Sequence, residues 1–149
     1  FDGVGAAATE VTFAFKRTVD DGAPNSTVTL ASEPNASGPT GEQSRAESEL
    51  VVSFAAGGDD ESTTITISGE CFQSSTQSVD GDNATQVTFA PGALKEPEPK
   101  EDEEPAAPAT CDATITISRA RTGTIDPAFG EGGLFRSLRD ESLSFSSAP

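Results

Sequence analysis

All three asparagines of the chain stand in the pattern Asn-X-Ser/Thr with X other than proline: Asn25-Ser26-Thr27, Asn35-Ala36-Ser37 and Asn83-Ala84-Thr85. The side-chain amide in this pattern accepts an N-linked glycan, a modification of secreted chains that requires a solvated surface. Serine and threonine supply 34 of the 149 residues. Chance would therefore place all three asparagines in the pattern only about once in a hundred. Asn25, Asn35 and Asn83 are expected to carry glycans on a secreted chain.

Cys71 and Cys111 are the second reactive set. In an oxidising compartment a lone pair of cysteines is expected to form one disulfide. The loop closed is about 41 residues long, worth roughly 4 kcal/mol in the chain-entropy picture. Two thiolates do not complete a zinc site, and histidine is absent.

The lack of histidine also removes the usual base of nucleophilic catalysis. No nucleophile elbow, phosphate-binding glycine loop or dinucleotide fingerprint is present. Gly130-Glu131-Gly132-Gly133 has neither the spacing nor the lysine of a phosphate loop. With 25 acidic residues, carboxylate pairs arise by composition alone. Those between Glu96 and Glu104 lie in a solvated stretch where burial cannot raise a pKa. No enzymatic activity is expected. For a hard cation, Asp80 and Asp82 are the best ligands on offer, followed by Asp59 and Asp60. The further ligands and the closing glutamate of an EF-hand are missing, and acidic residues are also what turns select for themselves. Covalent glycans are the expected non-protein groups, with calcium at Asp80 and Asp82 the weaker alternative.

The net charge of −16 argues against phosphate backbones and anionic lipid surfaces as partners. The segment from Lys95 to Pro105 holds six acids and two lysines, and the remaining acidity is spread along the chain. Arginine outnumbers lysine six to three. An acidic, lysine-poor surface suits high salt, where screening removes self-repulsion, so a halophilic setting is one expectation and a merely solubilising surface the other. Methionine is absent, and Phe1 is expected to be the first residue left after removal of a signal peptide. No apolar run reaches membrane-spanning length.

These groups must be positioned by strands. Period-two alternation of β-branched and aromatic residues marks seven segments. They are Thr9 to Val19 (Val11, Phe13 and Phe15 on one face), Ser26 to Ser32, Glu49 to Ala56, Ser62 to Phe72, Thr85 to Ala90, Cys111 to Arg121, and Ser142 to Ser146. Turn clusters separate several of them, including Gly57-Gly58-Asp59-Asp60 and Asp80-Gly81-Asp82-Asn83. Parity places Cys71 with Ile65 and Ile67, and Cys111 with Ile115 and Ile117, so both sulfurs should face the core. Leu134, Phe135 and Leu138 have helical spacing, which predicts a turn of helix before the last strand.

The expected fold is all-β: an antiparallel β-sandwich of about seven strands, immunoglobulin-like in architecture but without the core tryptophan of true immunoglobulin domains. It forms a single domain over 1–149. Residues 1–8 read as a flexible lead-in, Pro34 to Ser48 as irregular, and 95–109 as a Pro/Glu-rich loop. Two functions fit. The first is a structural subunit of an extracellular filament, pilus or surface layer, a homopolymer with copies of itself. Its strand Val11, Phe13 and Phe15 would complete a neighbour's sheet by donor-strand addition. In the alternative, that segment is an ordinary first strand and the protein is an extracellular adhesin or protein-binding module.

Overall fold

The computed structural model describes residues 10–16, 18, 22–80, 84–97, 109–129 and 133–149. The chain is all-β. Its strands are β1 (Glu10–Phe15), β2 (Ala23–Thr29), β3 (Glu42–Ser44), β4 (Leu50–Ser53), β5 (Glu61–Gly69), β6 (Ser75–Asp80), β7 (Gln86–Phe89), β8 (Cys111–Thr122) and β9 (Arg136–Ala148). Among the described residues the one helical element is a 3-10 turn at Pro127–Phe129. The lead-in at 1–8, Asp82, Asn83 and residues 98–108 of the acidic loop lie outside the described residues.

β5 and β8 show why the chain builds sheets. Each alternates isoleucine with threonine or serine, so one face is apolar and the other can meet water. In β5, Glu61, Thr63, Ile65 and Ile67 are buried while Thr64 and Thr66 are not. In β8 the buried set is Ala113, Ile115, Ile117 and Arg119. The two strands pair antiparallel with Ile65 opposite Ile117 and Ile67 opposite Ile115. They form the centre of a five-stranded sheet ordered β3-β9-β8-β5-β6. The ribbon β4-β7 pairs Leu50 with Phe89 and Val52 with Val87. These residues join Ile65, Ile67, Ile115, Ile117 and Phe145 in one buried cluster. A second ribbon, β1-β2, stands apart from the core cluster.

Each of the seven expected segments contains strand over at least part of its length, and two more strands appear. β6 (STQSVD) carries little apolar signal. It is held to β5 by ladder pairing and by hydroxyl pairs, Thr64 to Ser78 at 3.0 Å and Thr66 to Thr76 at 3.1 Å. β3 lies inside the stretch expected to be irregular, and it runs parallel to β9, unlike the antiparallel pairs elsewhere. The long connection from β2 brings it back along the outer edge of β9, where the ladder accepts a strand of either direction.

The helical turn expected before the last strand is not formed. β9 begins at Arg136 and pairs with β8 from Arg136 opposite Thr122 to Ser147 opposite Cys111. This ladder overrides the helical spacing. Leu138 is left 56% exposed, while Ser137 turns inward, accepting from the Ala31 N–H and donating to the Thr29 carbonyl.

The disulfide Cys71–Cys111 is formed, with Cα atoms 5.9 Å apart. Cys111 opens β8, but Cys71 lies in the turn after β5 instead of on its face. Gly69 permits that turn, since a Cβ there would come within 2.5 Å of the Phe72 ring, which folds back into the core. Both cysteines pack against the core cluster. Arg45, itself buried, donates to the carbonyls of Ala109 and Ser147 beside the bridge. Unreduced protein should have an intact mass two hydrogens lower than the reduced chain. Replacing both cysteines by alanine should lower the unfolding free energy by about 4 kcal/mol in urea titrations.

Candidate functional site

The inward faces of β5, β8 and β9 are apolar at one end only. Beyond Ile65 and Ile117 the same parity continues with Thr63, Glu61 and Arg119, so the sheet carries charge into the interior. Arg119 has no solvent exposure. Its guanidinium donates to Thr63 Oγ1 (3.2 Å), Ser32 Oγ (2.8 Å), the Glu33 carbonyl (3.3 Å) and the Ala55 carbonyl (2.5 Å). Glu61 accepts from the Ser32 N–H (2.7 Å), the Ser32 hydroxyl (2.7 Å) and the Gly58 N–H (2.8 Å), with Arg121 at 3.3 Å.

Burial alone would raise the Glu61 pKa, but the Gly58 and Ser32 donors and the Arg121 charge outweigh it and hold the carboxyl below its usual value. Burial lowers the Arg119 pKa, and the Glu61 charge offsets part of that. The guanidinium nevertheless remains a cation across the working pH range. The group is an ionic knot tying β5 and β8 to the irregular segments 32–33 and 55–58, with the buried Arg121 Nε left without a hydrogen-bond partner among the described residues.

A cleft of about 440 Å³ opens above this knot, lined among others by Ser32, Glu33, Asn35, Glu61, Arg121 and Arg139. Its charges are already paired: Arg121 with Asp60 (3.1 Å) and Glu61, and Arg139 with Glu33. The arrangement offers hydrogen bonds without a nucleophile and base in contact. Asn35 stands on its rim, exposed and in the left-handed region at φ 47°, with its Nδ2 donating to the Glu33 carbonyl at 3.3 Å. A glycan on Asn35 would start at the mouth of this cleft.

The structure distributes the remaining sequence-derived groups over the surface. Asn25 is exposed in β2, and its N–H donates to Asp126 Oδ2 at 2.9 Å. The N–H groups of Ala128 and Asn25 lower the Asp126 pKa against a small opposing effect of burial, and the Asn25 side chain adds to the lowering. Asn35 lies in the irregular connection between β2 and β3. Asp80 ends β6 opposite Ser62 and is exposed, while its proposed partner Asp82 lies outside the described residues. Among the described residues no three acidic or cysteine side chains converge as a metal site would require.

The strand expected to join a neighbour's sheet pairs within its own chain. β1 pairs antiparallel with β2, Val11 opposite Val28 and Phe13 opposite Ser26. The register shifts before Phe15 opposite Ala23, an extra residue in β2 at Pro24, which has no N–H to give a ladder. The other edge of β2 is tied to the body by a mutual pair of bonds between Thr27 and Thr124 at 2.9 and 2.8 Å. Gly123 makes that approach feasible, because a Cβ there would lie 2.3 Å from the Thr27 carbonyl oxygen. The outer edge of β1 has no strand against it among the described residues.

Val28 and Ser26 are buried, but Val11 and Phe13, on the same face of the ribbon, are 36% and 53% exposed. The Phe13 ring centroid lies 6.3 Å from that of Phe135. Beside it lies an apolar groove of about 380 Å³, lined by Phe13, Ile125, Phe129, Leu134 and Phe135 with Ser26 and Gly133. Sequence reasoning found β1 but missed the groove wall, because it assigned Leu134 and Phe135 to a helix.

The ionic knot predicts a pH signature. A lowered carboxyl pKa gives stability that is full at neutral pH, declines as pH falls past the ordinary 4.5, and is gone below the folded value. Glu61→Gln should lower the unfolding free energy by about 3 kcal/mol at pH 7. The gap from the parent should shrink as pH falls below about 4.5 in parallel urea titrations. No family model matches the chain, and a search of curated proteins and of solved structures returns no match.

Proposed function

We propose that the protein is a secreted, N-glycosylated structural subunit of an extracellular assembly, a filament or surface layer, that associates with copies of itself through its N-terminal strand. The observation that carries this reading is the β1-β2 ribbon. It presents a strand edge that no other strand covers among the described residues, and two exposed large apolar side chains, Val11 and Phe13, beside an apolar groove. Soluble proteins usually blunt a strand edge with charge, proline or a covering segment. An open edge with apolar side chains is what β-augmentation uses: backbone bonds supply affinity and alternate side chains supply specificity.

Several features support the setting. A disulfide suits an oxidising, non-cytoplasmic environment. Among the described residues no helix is long and apolar enough to cross a membrane. Asn25 and Asn35 are exposed, as glycan acceptors must be. The net charge of −16 suits a high-salt medium. We read the packing of β4-β7 over the five-stranded sheet as a two-layer sandwich related in plan to the immunoglobulin architecture, with the parallel β3 and the β1-β2 ribbon as additions.

A binding module without self-assembly, such as an adhesin, is the second reading. The cleft at Arg121 and Arg139, with polar groups and a rim asparagine, favours it. Electron microscopy of native material separates the two. Regular polymers are expected, and deletion of residues 1–15 or the milder Phe13→Asp should leave folded single particles. Polymers that persist unchanged in both variants would remove β1 from the reading. Enzymatic deglycosylation should lower the native mass by glycan steps mapping to Asn25, Asn35 and Asn83.

A further inference from the structure

We infer that β1 pairs with β1 of a second copy, antiparallel and centred on Phe13, so that the assembly is built from two-fold dimers. The inference rests on the reading of β1 as the assembly element and adds the partner, the direction and the register.

The strand sequence is self-complementary about Phe13. Antiparallel pairing centred there sets residue 13 opposite its counterpart, 12 opposite 14, 11 opposite 15 and 10 opposite 16. In residue terms, Val11 faces Phe15, Thr12 faces Ala14 and Glu10 faces Lys16, each relation occurring twice. The apolar residues at odd positions all fall on one face, and the two opposite-charge pairs flank them on the other. Opposite charges directly across a ladder stabilise it and like charges oppose it. Moving the register by two residues places Glu10 against Ala14 or beyond the strand, and both charge pairs are lost. Parallel pairing in register would set Glu10 against Glu10.

Among the described residues no strand occupies this edge. Glu10, Thr12, Ala14 and Lys16 are exposed, and β2 with the Thr27–Thr124 bonds occupies the opposite side of the ribbon. Electrostatics single out the same place. In a chain of charge −16, the stretch from Glu10 to Thr18 holds one acid against Lys16 and Arg17, a net of +1. Two copies that meet there avoid most of the like-charge repulsion that opposes contact over the rest of the surface.

Covering Val11 and Phe13 also explains their chemistry. They lie on the ribbon face that carries the buried Val28 and Ser26, yet remain 36% and 53% exposed, with Phe13 beside Phe135. A second β1 continues that face with the partner's Val11 and Phe13. The contact is isologous and closes on itself, so a filament requires a second, different contact between dimers.

The register is tested with charge reversal and cysteine pairing in the full-length chain. Glu10→Lys and Lys16→Glu should each weaken the dimer, on the order of tenfold in Kd by analytical ultracentrifugation at low salt. An equimolar mixture of the two, which restores both opposite-charge pairs, should dimerise again, as should the double variant. The differences should fade near 1 M salt, where exposed charges are screened. A mixture of Thr12→Cys and Ala14→Cys chains should form an intermolecular disulfide faster than either variant alone. If the wild type self-associates but the charge variants do not differ and the cysteine mixture shows no preference, the register is wrong while assembly stands. If the wild type stays monomeric at all concentrations and none of the cysteine variants cross-links, both the dimer and the assembly reading fall.

Discussion

A guanidinium with no access to water sets the terms for half of this molecule. Arg119 occupies the position on β8 where parity demands an inward side chain, two residues past Ile117. An unpaired charge there would be prohibitive, since removing an ion from water costs several kcal/mol even after relaxation. The irregular segments after β2 and after β4 supply the remedy. Their carbonyls at Glu33 and Ala55 and the Ser32 hydroxyl converge on Arg119, and Glu61 answers the charge while fastening Ser32 and Gly58. Loops that a purely apolar core would leave unanchored are thereby fixed by the sheet.

This arrangement divides the interior. Towards the disulfide, isoleucine, phenylalanine and valine from β4, β5, β7, β8 and β9 form one apolar cluster. Towards Arg119 the same strands present charge and hydroxyl. Such a division suits a sequence in which only 34% of residues are hydrophobic. Backbone carbonyls and ionic pairs fill space that a richer composition would fill with side-chain carbon. Arg45 repeats the device at the other end, where it is buried against the Ala109 and Ser147 carbonyls.

The core strands were legible because Ile/Thr alternation is a direct physical record of a sheet with one dry face. The same alternation held the ionic knot: Arg119 continues the parity of Ile115 and Ile117, and Glu61 that of Ile65 and Ile67. Reading polarity as a mark of exposure hid it, since parity and residue type disagree at those positions and parity wins. β6 left little trace because an exposed edge strand needs only backbone partners and hydroxyls. β9 misled because the spacing of Leu134, Phe135 and Leu138 mimics a helix, while the partner that decides the matter, β8, is distant in sequence from that signal. Val11 and Phe13 were recognised as strand residues. Their exposure depends on where the ribbon lies relative to the body, which local pattern does not encode.

The position of the disulfide has a mechanical consequence. Tension applied along the chain on either side of Cys71 and Cys111 passes through the sulfur–sulfur bond, not through the backbone between them. β6, β7 and the acidic segment are therefore spared extension even when the rest of the chain is pulled straight. At roughly 3.3–3.6 Å per residue, on the order of 130 Å of contour stays out of reach of force. The covalent bridge thus caps how far the chain can lengthen under load.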